Sequence, residues 1–188
     1  MKSFTILPTL ALVVAAAADC LLDSILTGAS PEQIAASVDQ WSSDVHNVNS
    51  FLNSAASLST EALLSAANSA LTSAQDEPCQ LATLGAFVAD TPTSDCAFAD
   101  LQAIFGARVL MNLQKIISSP SDAQAVGDAV AEINLFRCCS VLPDAEILWT
   151  GASVRATGVE IREIVASRPF ACDGLVCTSA QTNCKAAT

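Results

Sequence analysis

Cysteine is the residue type most able to do chemistry in this 188-residue chain, which carries Cys20, Cys79, Cys96, Cys138, Cys139, Cys172, Cys177 and Cys184. Thiolates can attack electrophiles or bind metal, and pairs of thiols can oxidise to disulfides. The single histidine, His46, leaves no Cys/His set at the short spacing a structural zinc site needs. An even cysteine count in an exported chain predicts four disulfides, and oxidised sulfur is no nucleophile. Eight cysteines allow roughly a hundred pairings. Adjacent Cys138 and Cys139 are strained as a mutual pair, so each expects a distant partner. One arrangement joins Cys79 and Cys96 to that doublet and Cys20 to the trio Cys172, Cys177 and Cys184.

Acid–base chemistry has few candidates. Carboxylate pairs occur at Asp76/Glu77, Asp144/Glu146 and Glu160/Glu163, and paired acids can hydrolyse glycosides. These lie at helix ends or beside Arg162, where solvated charge and capping account for them. His46 follows Val45 at the border of an apolar stripe, with no nucleophile or orienting acid in reach by sequence. No GxSxG, GxGxxG, HExxH or Gly-Lys-Ser/Thr phosphate loop is present. Gly151 and Gly158 bracket ASVRAT, but the lysine is missing and the run sits in a helical stripe. No catalytic, metal-binding or cofactor-binding residue is predicted, and the expectation is a protein that is not an enzyme.

Composition narrows the partners. Net charge is −11, from 8 Lys+Arg against 19 Asp+Glu. Nucleic acid binding needs clustered basic residues, so that partner class is excluded. Hydrophobic residues make up 52% and charged residues 14%, too apolar for a disordered chain. Residues 1–18, MKSFTILPTLALVVAAAA, have the basic start, short apolar run and small-residue end of a secretory signal peptide. That run is shorter than the ~20 residues a membrane span needs, and no later run of spanning length is expected. The predicted organisation is a signal peptide over 1–18, a helical domain over 19–168 and a disulfide-fixed tail over 169–188. The product is expected outside the cell or at the cell wall.

The elements that must position these residues read as helices. Ser30-Pro31-Glu32-Gln33 is a strong start signal. Ile34, Val38, Trp41, Val45, Val48 and Leu52 follow at alternating spacings of four and three, with Ser37, Asp39, Ser43, Asp44 and Asn47 on the other faces. A second helix opens at Ser59-Thr60-Glu61, turns Leu63, Leu64, Ala67, Leu71 and Ala74 inward and ends by Pro78; a short one follows through Leu81, Leu84 and Val88. Phe98, Leu101, Phe105, Val109 (or Leu110), Leu113 and Ile116 mark another, stopping before Pro120. The next runs from Ser121-Asp122 to Phe136, and a last stripe runs Ile147 to Val165 beyond Pro143. The fold class is all-α: one disulfide-stapled bundle of five to seven amphipathic helices.

The runs VDQWSSDVHNVNSFLNSA (38–55), SAQDEPCQL (73–81) and INLFRCCSVLPDAEILW (133–149) resemble segments of small secreted cysteine-containing proteins of filamentous fungi. More loosely, a signal peptide followed by Ala/Ser-rich amphipathic helices resembles the hydrophobic surface-binding protein A and cell-wall galactomannoprotein group. That second resemblance implies binding to apolar surfaces or lipids; the eight cysteines depart from that group, and no site motif transfers. Together with the apolar inventory, the expectation is a secreted binder of lipid-like ligands or hydrophobic surfaces. Trp41, Val45, Phe98, Phe105, Phe136 and Trp149 are its candidate contacts. The alternative is a secreted effector or wall component that recognises a host or cell-wall partner.

Overall fold

The computed structural model describes residues 30–85, 87–88, 91–159, 164–178 and 184. The predicted signal peptide, Cys20 and the pair Glu160/Glu163 lie outside them. The described residues form helices and connecting loops with no strand, so the chain is all-α. Four long helices carry the fold, where five to seven were expected. They are α1 (Pro31–Ser54), α2 (Thr60–Gly85), α3 (Pro92–Ser118) and α4 (123–157).

Fusion across proline accounts for the lower number. Pro78 lies inside α2 instead of ending it; Glu77, Leu81 and Leu84 on either side are all buried, and their packing outweighs the local penalty of the missing amide. In α4, a wide π-turn over Arg137–Val141 precedes Pro143 and joins the two expected helices into one. The Leu142 amide bonds back to the Arg137 carbonyl, and Pro143 has no amide to offer the Cys138 carbonyl. That carbonyl accepts instead from Arg168 Nη1 at 3.4 Å. A second π-turn, Gly106–Leu110, lies within α3.

α1 starts as its sequence predicts. Ser30 and Gln33 form a reciprocal capping box, with Pro31 in the first turn. Its stripe Ile34, Val38, Trp41, Val45, Val48 and Leu52 is wholly buried, mostly against α2. Ser37, Asp44 and Asn49 are buried as well, so the inward face is wider than its apolar residues. Leu64, expected inward, is exposed on α2. α3 and α4 pack side by side, and the second half of α4 touches all three other helices. Burial runs continuously from Trp41 and Trp149 to Leu113 and Ile133 as one core.

By length and composition α3 could cross a membrane, contrary to the expectation of no further run of that reach. In the bundle its residues Ala97, Leu101, Phe105, Val109, Leu113 and Ile116 are core residues. The last helix also ends earlier than its stripe implied. Gly158 has φ +66° and caps α4 by donating to the Val154 carbonyl, so Val165 lies beyond the helix and is exposed.

Candidate functional site

A chain of buried polar groups ties the helices to the tail. Arg137 Nη1 meets Glu77 Oε1 at 3.0 Å, with both side chains removed from solvent. Trp41 Nε1 donates to the other carboxylate oxygen, Oε2, at 3.0 Å. Arg137 Nε donates to Asn49 Oδ1 at 3.3 Å, and Asn49 Nδ2 donates to the Ser167 carbonyl at 2.7 Å. Burial raises the Glu77 carboxyl above its ordinary value, against the opposing pull of Arg137 and the Trp41 N–H. Burial also raises Asp44, with Asp76 adding like charge and hydrogen bonds from Gln40 and Ser73 opposing. The Trp41 ring packs edge-on to Trp149, centroids 5.7 Å apart.

The tail, residues 164–178, is a strap laid over α1 and α4. A short 3-10 helix over Phe170–Gly174 satisfies some of its amides with backbone carbonyls, and side chains of α1 and α4 accept from others. Thr150 Oγ1 accepts from the Ile164 amide at 3.0 Å, Glu146 Oε1 from Ala166 at 3.0 Å, and Asn53 Oδ1 from Phe170 at 2.8 Å. Arg168 Nη2 also pairs with Glu146 at 2.7 Å, and Asp144 Oδ1 accepts from the Cys184 amide at 3.3 Å. Asp144 and Glu146, expected as solvated or capping acids, are therefore buried anchors of the tail.

Disulfides fix the same strap. Cys138 bonds Cys172, Cys139 bonds Cys177, and Cys96 bonds Cys184. This corrects the expected pairing: neither Cys79 nor Cys96 reaches the doublet, and none of the C-terminal trio is left for Cys20. The π-turn buries Cys138 and Cys139 beneath the strap, so the nearest sulfurs are those of the tail crossing above. Cys79 is also disulfide-bonded. Disulfide bonding at this density marks an extracellular type of protein.

Before the 3-10 turn at Phe170 the strap carries no helix, and neighbouring side chains on extended backbone face opposite ways. With the Ala166 amide turned to Glu146 and Ala166 buried, Val165 points outward, followed along the strap by Phe170 and Val176. These three are 69%, 76% and 82% exposed.

Two apolar depressions lie elsewhere. One of about 360 Å³ separates α2 from α3 and is lined by Pro78, Leu81, Ala82, Leu101, Phe105 and Leu110, among others. Another of about 320 Å³ lies between the α1–α2 turn and the start of α4, with Leu58, Leu63, Pro120 and Val126 in its wall.

The structure scatters the six predicted contact residues. Trp41, Val45 and Trp149 are packed inside the core. Phe105 lines the α2–α3 groove, Phe98 lies against Gly85, and Phe136 sits under the Arg108 guanidinium, 4.6 Å from its ring centroid. His46 is exposed. Phe170 and Val176 escape a reading by periodicity because they lie on no helical stripe; their signal is three cysteines flanking apolar residues in a polar tail.

No family model, characterised protein or solved structure matches the chain. What its surface can do follows from the exposed chemistry alone.

Proposed function

We propose that this is a secreted, non-enzymatic protein that binds hydrophobic surfaces through its disulfide-fixed strap. The observation that carries this reading is the outward display of Val165, Phe170 and Val176 on backbone held by three disulfides. A flexible tail would turn such residues into the bundle; a stapled one keeps them in water until an apolar surface covers them. The conformational entropy of the strap is already reduced before it meets that surface, which favours adsorption. The acidic balance of the chain disfavours anionic lipid headgroups, so a neutral apolar surface is the fitting partner. The resemblance to fungal surface-binding and cell-wall proteins points the same way.

The test is retention of the purified protein on phenyl-coated against uncoated beads. The wild type is expected to adsorb to the phenyl surface. The triple variant Val165→Ser, Phe170→Ser, Val176→Ser is expected to lose most of that retention with an unchanged unfolding midpoint, because all three side chains are exposed. Equal retention of the two proteins, or no adsorption by the wild type, overturns the reading.

A further inference from the structure

The strap is stapled at unequal depths. Of its three disulfides, Cys96–Cys184 ends on a cysteine at 0% exposure, and Cys138–Cys172 joins a buried cysteine to a half-buried one. Cys139–Cys177 alone among them carries an exposed cysteine. That residue, Cys177, directly follows Val176, the most exposed large apolar side chain among the described residues. We infer that Cys139–Cys177 is a redox catch: a dithiol reductant opens it before the other two, loosens residues 173–178 and withdraws Val176 from the apolar display. The inference rests on the proposed function, whose site it regulates.

Thiol–disulfide exchange starts when a thiolate reaches one sulfur of the bond. Cys177 presents its side to solvent, while Cys139 is wholly buried beneath the strap. The first thiolate of the reductant bonds Cys177 Sγ as the bond to Cys139 breaks, and Cys139 leaves with the electron pair and takes up a proton. The second thiol of the reductant then displaces Cys177, closing the reductant's own disulfide and leaving Cys177 as a thiol. Two electrons and two protons pass from reductant to protein. Cys139 gains no substitute partner in Cys138, because a bond between neighbours is strained.

The remaining anchors decide what moves. Up to Phe170 the strap is held without sulfur: Thr150 accepts from Ile164, Glu146 from Ala166 and Asn53 from Phe170, and Asn49 donates to the Ser167 carbonyl. Cys138–Cys172 follows directly. Past it, the Leu175 amide donates back to the Cys172 carbonyl at 3.4 Å, within the strap itself, and Cys139–Cys177 is the covalent tie of this limb to α4. Opening therefore loosens 173–178 while Val165 and Phe170 keep their places. A loosened limb turns Val176 out of water, as apolar surface is driven to do. With Cys172 and Cys184 still bonded on either side, Cys177 stays within reach of Cys139, and reoxidation resets the catch.

The experiment treats the intact protein with graded dithiothreitol, alkylates the freed thiols and maps them by mass spectrometry. Cys139 and Cys177 are expected to be labelled together before Cys96, Cys138, Cys172 or Cys184. Amide exchange is expected to quicken in residues 173–178 and to stay unchanged at Ala166. Retention on phenyl beads is expected to fall roughly three- to tenfold at that step, through the loss of one valine contact. The paired variant Cys139→Ser, Cys177→Ser is expected to show the same fall without reductant, and no further fall at the reductant level that opens this bond alone. Another of the three bonds opening first, exchange that quickens across α4 as well, or equal retention of closed and opened protein overturns the proposal. A closed protein that never adsorbs overturns the proposed function and this regulation with it; that failure is distinct, because it shows before any reductant is added.

Discussion

Arg137 reaches across the bundle to Glu77 with a nitrogen–oxygen distance of 3.0 Å, and the two side chains are 0% and 1% exposed. One arises from the π-turn of α4 and the other from α2, so the pair fixes which face of α4 meets the α1–α2 hairpin. Stranding one charge in the core leaves it without compensation. Glu77→Ala or Arg137→Ala is expected to lower unfolding stability by about 3–5 kcal/mol in urea titrations. The double variant Glu77→Leu, Arg137→Met is expected to recover only part of that loss: two apolar chains fill the same space without desolvated charge, but the Trp41 N–H and Asn49 Oδ1 lose their buried partners.

The same glutamate sets a pH dependence. Burial, the largest influence, raises its carboxyl above the ordinary value, while in the unfolded chain it titrates near about 4.3. Between those two values the folded chain holds a proton that the unfolded chain has released. Stability from this group is therefore complete below about pH 4.3 and is lost as pH rises through the raised value. Asp44, also raised by burial, acts with the same sign. Glu77→Gln is expected to flatten the decline on the alkaline side of about pH 4.3, read from urea midpoints across a pH series.

How much of the fold is legible in the sequence depends on what each residue needs in order to be recognised. The α1 stripe from Ile34 to Leu52 is readable because every member is apolar and spaced for one face. Asn49, Glu77 and Arg137 are not. A buried polar residue looks like a surface one until its partner is in place, and Arg137 lies 60 positions from Glu77 and 88 from Asn49. Pro78 and Pro143 read as helix ends by local rules; tertiary packing and a π-turn carry the helices past them. Disulfide bonding is readable and the pairing is not, because pairing follows where the strap crosses α4. Of the candidate site, the aromatic residues on helical stripes are easy to name and mostly serve the core, while Phe170 opens a single short 3-10 turn, too brief for periodicity to give a signal.

Cys139–Cys177 offers a direct measure of how firmly the strap is held. The two cysteines are 38 residues apart, and closing a loop of that length restricts the unfolded chain by about 3–4 kcal/mol. The paired variant Cys139→Ser, Cys177→Ser leaves no odd thiol to reshuffle. It is expected to lose stability of that order and to speed amide exchange in residues 173–178, while Ala166 stays protected by Glu146.

Two glycines predict opposite outcomes for the same substitution. A Cβ on Gly85 would run into the Phe98 ring, with Cε2 and Cδ2 both within clashing distance. Gly85→Ala is expected to destabilise by about 1–3 kcal/mol through overpacking. Gly127 lies within α4, exposed, and a Cβ there meets nothing within 4 Å. Gly127→Ala is expected to stabilise by about 0.5–1 kcal/mol, because alanine loses less backbone freedom on entering a helix. Thermal melts of the two variants should move in opposite directions.

The tryptophan pair separates packing from hydrogen bonding. Trp41 and Trp149 are both buried and meet edge to face, so each gives up a comparable amount of packing when shortened to Phe. Their indole nitrogens differ. Trp41 Nε1 donates to Glu77 at 3.0 Å, whereas Trp149 Nε1 has no acceptor among the described residues. Trp41→Phe removes a charge-assisted bond and leaves Glu77 Oε2 without that donor in the core; Trp149→Phe removes a buried donor that gains nothing from its surroundings. Trp41→Phe is therefore expected to be the more damaging by about 1–3 kcal/mol, and to push the Glu77 carboxyl higher still, since a hydrogen bond that favours its charged form is gone. Urea titrations of both single variants at two pH values test this: equal losses would show that the indole–carboxylate bond adds nothing to the core it joins.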